Sequence, residues 1–201
     1  MRTALGLRGV SVLPLVSERV TAQEIMVSRA FGRSITTLEE LRQAVQLYAA
    51  RACEKLRNQH RQAWRVSVWV ATNPFRKSQP QYHNSISIKL PRPTDYTPTI
   101  IATVLEGLEQ IYRAYPFHCA GVRLSDLTSA DLDQGTLTSP HFPPERERAL
   151  MAAIDAINHR YGRETIRFLG SGLDRPWSGK ITNRSPRALT CWDELPLAHV
   201  G

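Results

Sequence analysis

No run of apolar residues in this 201-residue chain approaches the ~20 that a membrane-spanning helix needs. Near the start, Arg2 and Arg8 are present, but the apolar core and cleavage site expected of a signal peptide do not follow them. Cysteine is scarce. Cys53, Cys119 and Cys191 lie far apart, are odd in number and form no C-x-x-C. Neither a disulfide framework nor a zinc site is indicated, and a reducing, cytoplasmic setting fits. No glycine-rich phosphate loop occurs, and Gly170 to Gly172 reads as a turn. His83, His118 and His141 show no ligand spacing. His159 sits at a helix end, where the dipole accounts for it.

What the chain does have is a net charge of +8, 13 prolines and a hydrophobic content of 42%. The last is enough for a real core and excludes wholesale disorder. The length allows one large or two small domains. The basic excess favours a polyanionic partner, nucleic acid before membrane.

The stretch that organises the rest is Phe117 to Leu127, FHCAGVRLSDL. Side chains of a strand alternate faces, so Ala120, Val122 and Leu124 suit a core, while Cys119, Gly121, Arg123 and Ser125 point the other way. Three further strands are expected. Glu24 to Phe31 is ended by Gly32. In Arg65 to Thr72, Val66, Val68 and Val70 face inward, and Arg65, Ser67 and Trp69 outward. In Asn84 to Leu90, Ile86 and Ile88 face inward, and Ser85, Ser87 and Lys89 outward.

A first helix starts at Thr37, with Glu40 as the return half of a capping box. Its apolar stripe is Leu38, Leu41, Val45, Tyr48, Ala52 and Leu56. Arg42, Arg51, Lys55 and Arg57 lie off it and read as a solvated face. Thr97 caps a second helix, with Pro98 at its first position. A third, Glu145 to Tyr161, has Leu150, Ala153, Ile154, Ile157 and Tyr161 as its stripe. Thr165 to Leu169 reads as a short strand, and the remainder is irregular.

The order strand–helix–strand–strand–helix–strand predicts an α+β fold: a four-stranded sheet with two helices on one face, followed by a helical and irregular tail. The other face is left bare. Its expected side chains are Ser28, Arg65, Ser67, Ser85, Ser87, Lys89 and Arg123, with Arg29 replacing Ser28 if the first strand is shifted by one. RNA-recognition modules share this order but stack bases on central-strand aromatics. Here those strands offer serines and a lone Trp69. Hydroxyls and cations suit phosphate contact, which carries no sequence information.

Several stretches resemble the C-terminal part of Y-family translesion DNA polymerases of the UmuC type. They are QEIMVSRAFG (Gln23 to Gly32), LRQAVQLYAARACEKLR (Leu41 to Arg57), TNPF (Thr72 to Phe75) and AGVRLSDL (Ala120 to Leu127). RTALGLRG, up to Gly9, resembles the end of the thumb. DAIN (Asp155 to Asn158), GSG, Trp177, SPR and WDELP (Trp192 to Pro196) resemble the UmuC-type tail. The resemblance implies an end of thumb and linker over residues 1–22, a little-finger-like DNA-binding domain over 23–127, a linker over 128–144 and a tail domain over 145–201.

It further implies a role in error-prone translesion synthesis within DNA repair and the SOS response, with primer-template DNA held by its phosphate backbone. Ser28, Arg29, Arg65, Ser67, Ser85, Lys89 and Arg123 would make the contacts. In the family, the metal-binding carboxylates and their Mg2+ belong to a palm that precedes the thumb. The order of the matching stretches puts Met1 inside the thumb's last helix. The expectation is therefore a gene remnant, a split subunit or a fragment that holds no cofactor and does not synthesise DNA alone. A UmuD-type accessory subunit, a recombinase filament and a sliding clamp are the implied protein partners.

For the clamp, Gln134 and Leu137 match the family's peptide. The aromatic anchors that carry such binding do not follow, so weak binding or none is expected. TCWDE (Thr190 to Glu194) looks like a paired-acid metal motif, but it follows a Ser-Pro turn and has no companion carboxylate. The rival to DNA gripping is a protein-interaction fragment, in which the third helix and tail dock an accessory subunit.

Overall fold

A computed structural model of the chain describes residues 7–9, 23–130, 144–179, 185–186 and 195. Gln134, Leu137 and the stretch from Thr190 to Glu194 lie outside these. The elements are β1 (Glu24–Ile35), α1 (Leu38–Arg57), β2 (Arg61–Thr72), β3 (His83–Thr94), α2 (Thr97–Ile111), β4 (Phe117–Ser129) and α3 (Pro144–Tyr161), then a single 3-10 turn (Leu169–Ser171).

The expected α+β arrangement is the one adopted. The sheet order is β1-β4-β2-β3 with every neighbouring pair antiparallel, so β4, the organising strand, is central. α1 packs on β1 and β4, and α2 on β2 and β3. The core rows follow the alternation. Val27, Val122, Val68 and Ile86 lie side by side across four strands, as do Ile25, Leu124, Val66 and Ile88. Gly107 lets α2 come close. A Cβ there would lie 2.9 Å from Ile86 and 3.2 Å from Val68.

Strand ends differ from the sequence expectation. β1 continues past Gly32, and β3 continues through Pro91 and Pro93. An edge strand tolerates prolines because its outer amides have no ladder partner to lose. Thr37 caps α1, accepting a hydrogen bond from the Glu40 amide at 3.4 Å. Thr97 is not a cap. α2 starts after Tyr96 with no side-chain cap, and the Thr97 hydroxyl accepts from Arg57 Nη1 at 2.9 Å. The segment around Thr165 to Leu169 forms turns and the 3-10 turn, not a strand.

The largest departure concerns α1. Its second face is solvated only in part: Lys55 is exposed, but α3 and the segment after it lie against Arg51 and Arg57. Arg57 donates to both Asp155 oxygens, at 2.6 and 2.9 Å, and its Nη1 also donates to the Asp95 carbonyl at 2.8 Å. Arg51 and Arg175 both donate to Glu164, at 2.6 and 2.5 Å. α3 is accordingly rotated from its expected stripe. Met151 is buried while Leu150 and Tyr161 are exposed, because Asp155 must face Arg57, and Asn158 must reach the backbone of Ile166. Trp177 closes the assembly. Its ring is buried edge-on against Phe31 and Tyr48, and its carbonyl accepts from the Gly32 amide at 2.9 Å.

Glu164 holds a left-handed φ of 67°, a region that costs a non-glycine residue about 1 kcal/mol or more. Burial by itself would raise its carboxyl pKa. The hydrogen bonds and charges of Arg51 and Arg175 outweigh that and hold it below the usual carboxylate range. A carboxyl with a lowered folded pKa adds stability above its unfolded value and loses it as pH falls through the folded one. At neutral pH the parent should therefore be more stable than Glu164→Gln. The gap should shrink below about pH 4.3, the ordinary glutamate value, and close once Glu164 is protonated in the fold. Urea midpoints of both proteins across pH check this, and a gap independent of pH would contradict it.

Candidate nucleic-acid interface

With both helices on one side, the opposite face of the sheet carries no element among the described residues. Pairing across the strands sets its side chains in four rows. The first is Glu24, Ser125, Arg65 and Lys89. The second is Met26, Arg123, Ser67 and Ser87. The third is Ser28, Gly121, Trp69 and Ser85. The fourth is Ala30, Cys119, Ala71 and His83. Successive rows are about 7 Å apart, two residues along a strand.

Six of the seven residues expected to contact DNA fall on this face. The register decides for Ser28 over Arg29. Ser28 stands opposite Gly121, whereas Arg29 stands opposite Ala120 in a helix-side row. Arg29 keeps to the exposed sheet edge, its Nη1 donating to the Ser28 carbonyl. The six are not equally accessible. Ser67 is buried at 4% exposure, its hydroxyl 3.0 Å from that of Ser87, so it forms the floor of the face.

The cations cluster at one end. Arg65 Nε donates to Asp126 at 2.9 Å, Arg123 pairs with Glu24 at 3.5 Å, and the Lys89 ammonium lies 5.8 Å from the Trp64 ring centre. These pairs are exposed, and exposed ion pairs contribute only about 0–1 kcal/mol. A phosphate can therefore replace either carboxylate at small cost. Such a face presents charge and hydroxyls to a polyanion but no base-reading pattern.

Other chemistries have little to stand on. Among the described residues, no three His, Cys, Asp or Glu side chains converge as metal ligands would. Cys53 is buried inside α1, and burial pushes its thiol up to about 12. Burial raises Cys119 as well, so neither is poised as a thiolate nucleophile. Among the described residues, no helix is long and apolar enough to cross a membrane.

Two contributions escaped the sequence. His83, read only as a non-ligand, stacks beside Trp69 on the open face. Arg51 and Arg57, read as solvated, hold the tail. The alternation of β3 could have revealed the first, being two residues from Ser85. Nothing in the local spacing reveals the second.

The chain belongs to the impB/mucB/samB family, whose C-terminal domain matches residues 22–137. Residues 148–198 match a further unit described as Domain of unknown function (DUF4113). The chain is 37% identical over 195 residues to Protein UmuC of Salmonella typhimurium, which covers 96% of this chain and 46% of that protein. It is 37% identical over 198 residues to Protein SamB of Salmonella typhimurium, covering 98% and 46%. The chain thus spans about half the length of the curated relatives it matches. Among solved structures, the complex of beta-clamp processivity factor and little finger domain of PolIV aligns with a TM-score of 0.38 and 15% identity. It covers 58% of this chain and 99% of that one.

Proposed function

We propose that the open sheet face grips the phosphate backbone of primer-template DNA, as the DNA-holding part of an error-prone translesion polymerase acting at damaged template. The observation that carries this reading is the placement of Arg65, Lys89 and Arg123 in two neighbouring rows of a face that no helix covers, in a chain of this family. Held to DNA through phosphates, such a domain keeps its grip whatever base lies in the template, which is what bypass of a lesion requires.

Three phosphate contacts should give log affinity for duplex DNA a slope of about −3 against log salt, each neutralised phosphate contributing about −0.9. Fluorescence anisotropy with labelled duplexes of two unrelated sequences checks this. Equal affinities falling steeply with salt are expected, and a flat salt response would overturn the reading.

A further inference from the structure

The open face is not uniform. Its first two rows hold the cations. Its last two hold a pair of rings, Trp69 on β2 and His83 on the edge strand β3, with centroids 6.2 Å apart and planes 29° from parallel. The indole lies down on the sheet because Gly121 stands beside it. A Cβ at Gly121 would come within 2.5 Å of Trp69 Nε1 and 2.7 Å of the Ser28 Cβ. Trp69 is only partly buried and His83 is exposed. A shallow groove of ≈ 270 Å³ joins both rings to Met26 and Arg123.

A flat, accessible ring pair one row from a guanidinium, about 7 Å away, suits a nucleotide that is out of its duplex. The base face stacks on the rings and the phosphate meets the cation. Paired bases offer no free face, so a duplex can use the cationic end and not this one. We propose that Trp69 and His83 form a stacking platform for unpaired bases of single-stranded DNA. The face would then hold a single-strand–duplex junction, with phosphates at Arg65, Lys89 and Arg123 and the first unpaired base on Trp69. This rests on the reading that the face binds DNA.

The test uses the full chain, with a labelled oligothymidylate and a labelled duplex at one salt concentration. Trp69→Ala should weaken single-strand binding about tenfold, equivalent to about 1.4 kcal/mol and within the range for one base–aromatic stack. Duplex affinity should change less than twofold. Trp69→Phe should restore most of the single-strand affinity, and the exposed-site variant His83→Ala should weaken single-strand binding about threefold without altering the melt. If the parent chain binds neither DNA, the reading beneath the proposal fails and the platform with it. If the parent binds both and Trp69→Ala and His83→Ala leave single-strand affinity unchanged, or lower both affinities equally, the platform alone is wrong.

Discussion

Val122→Asp should abolish the cooperative melt of this protein. Val122 has no exposed surface and stands between Val27 on β1 and Val68 on β2, in the middle of the helix-side face. A carboxylate there has no cation within the row and no water. The desolvation cost is several kcal/mol, against a total domain stability of about 5–15 kcal/mol. Its neighbour gives the contrast. Arg123 is on the open face, and its pairing with Glu24 is exposed on both sides, so Arg123→Ala should shift stability by no more than about 0.5 kcal/mol. Thermal melts of the two variants decide the matter. A folded Val122→Asp beside an unfolded Arg123→Ala would mean that the strand faces are reversed.

Trp177→Ala should cost about 3–5 kcal/mol, the usual range for removing a buried aromatic. The ring is 3% exposed and meets Phe31 and Tyr48 edge-on, with centroids at 6.0 and 6.3 Å. It joins the core between β1 and α1, while the ion pairs of Arg57 with Asp155 and of Arg51 and Arg175 with Glu164 hold the rest of the tail. Loss of the ring should loosen the whole segment. The Gly32 amide, which donates to the Trp177 carbonyl, should exchange faster with solvent as a result. Denaturant melts and hydrogen exchange check both parts. A variant within about 1 kcal/mol of the parent would show that the tail merely rests on the domain. Truncation after β4 removes this tryptophan from the core, so a shortened chain does not isolate DNA binding from stability.

Elements governed by local pattern were legible in the sequence. Period-two alternation assigned the faces of β2, β3 and β4 because one side of each is buried, and a shift by one would expose the valines. Thr37 and its apolar stripe located α1. The pattern failed where partners come from far along the chain. Arg57 meets Asp155 and Arg51 meets Glu164 across 98 and 113 residues, and an arginine off the apolar stripe looks the same whether water or a carboxylate faces it. The buried face of α3 is not legible for the same reason, since a helix that docks through Asp155 and Asn158 as well as Met151 has no purely apolar stripe. At the site, cation positions followed from alternation. The choice of Ser28 over Arg29 needed the β1–β4 register, and the burial of Ser67 needed its Ser87 neighbour. The Trp69–His83 pair needed the glycine at position 121 to be seen beside the indole.

The central claim is that one face of this sheet, and not the other, meets DNA. Arg123 and Arg29 test it most directly. Both are arginines on adjacent strands, and they differ in the face to which the register assigns them. The measurement is the salt dependence of duplex affinity for Arg123→Ala and Arg29→Ala beside the parent. Arg123→Ala should make the log–log slope shallower by about one, and Arg29→Ala should leave it unchanged. A slope altered by Arg29→Ala and untouched by Arg123→Ala would contradict the account.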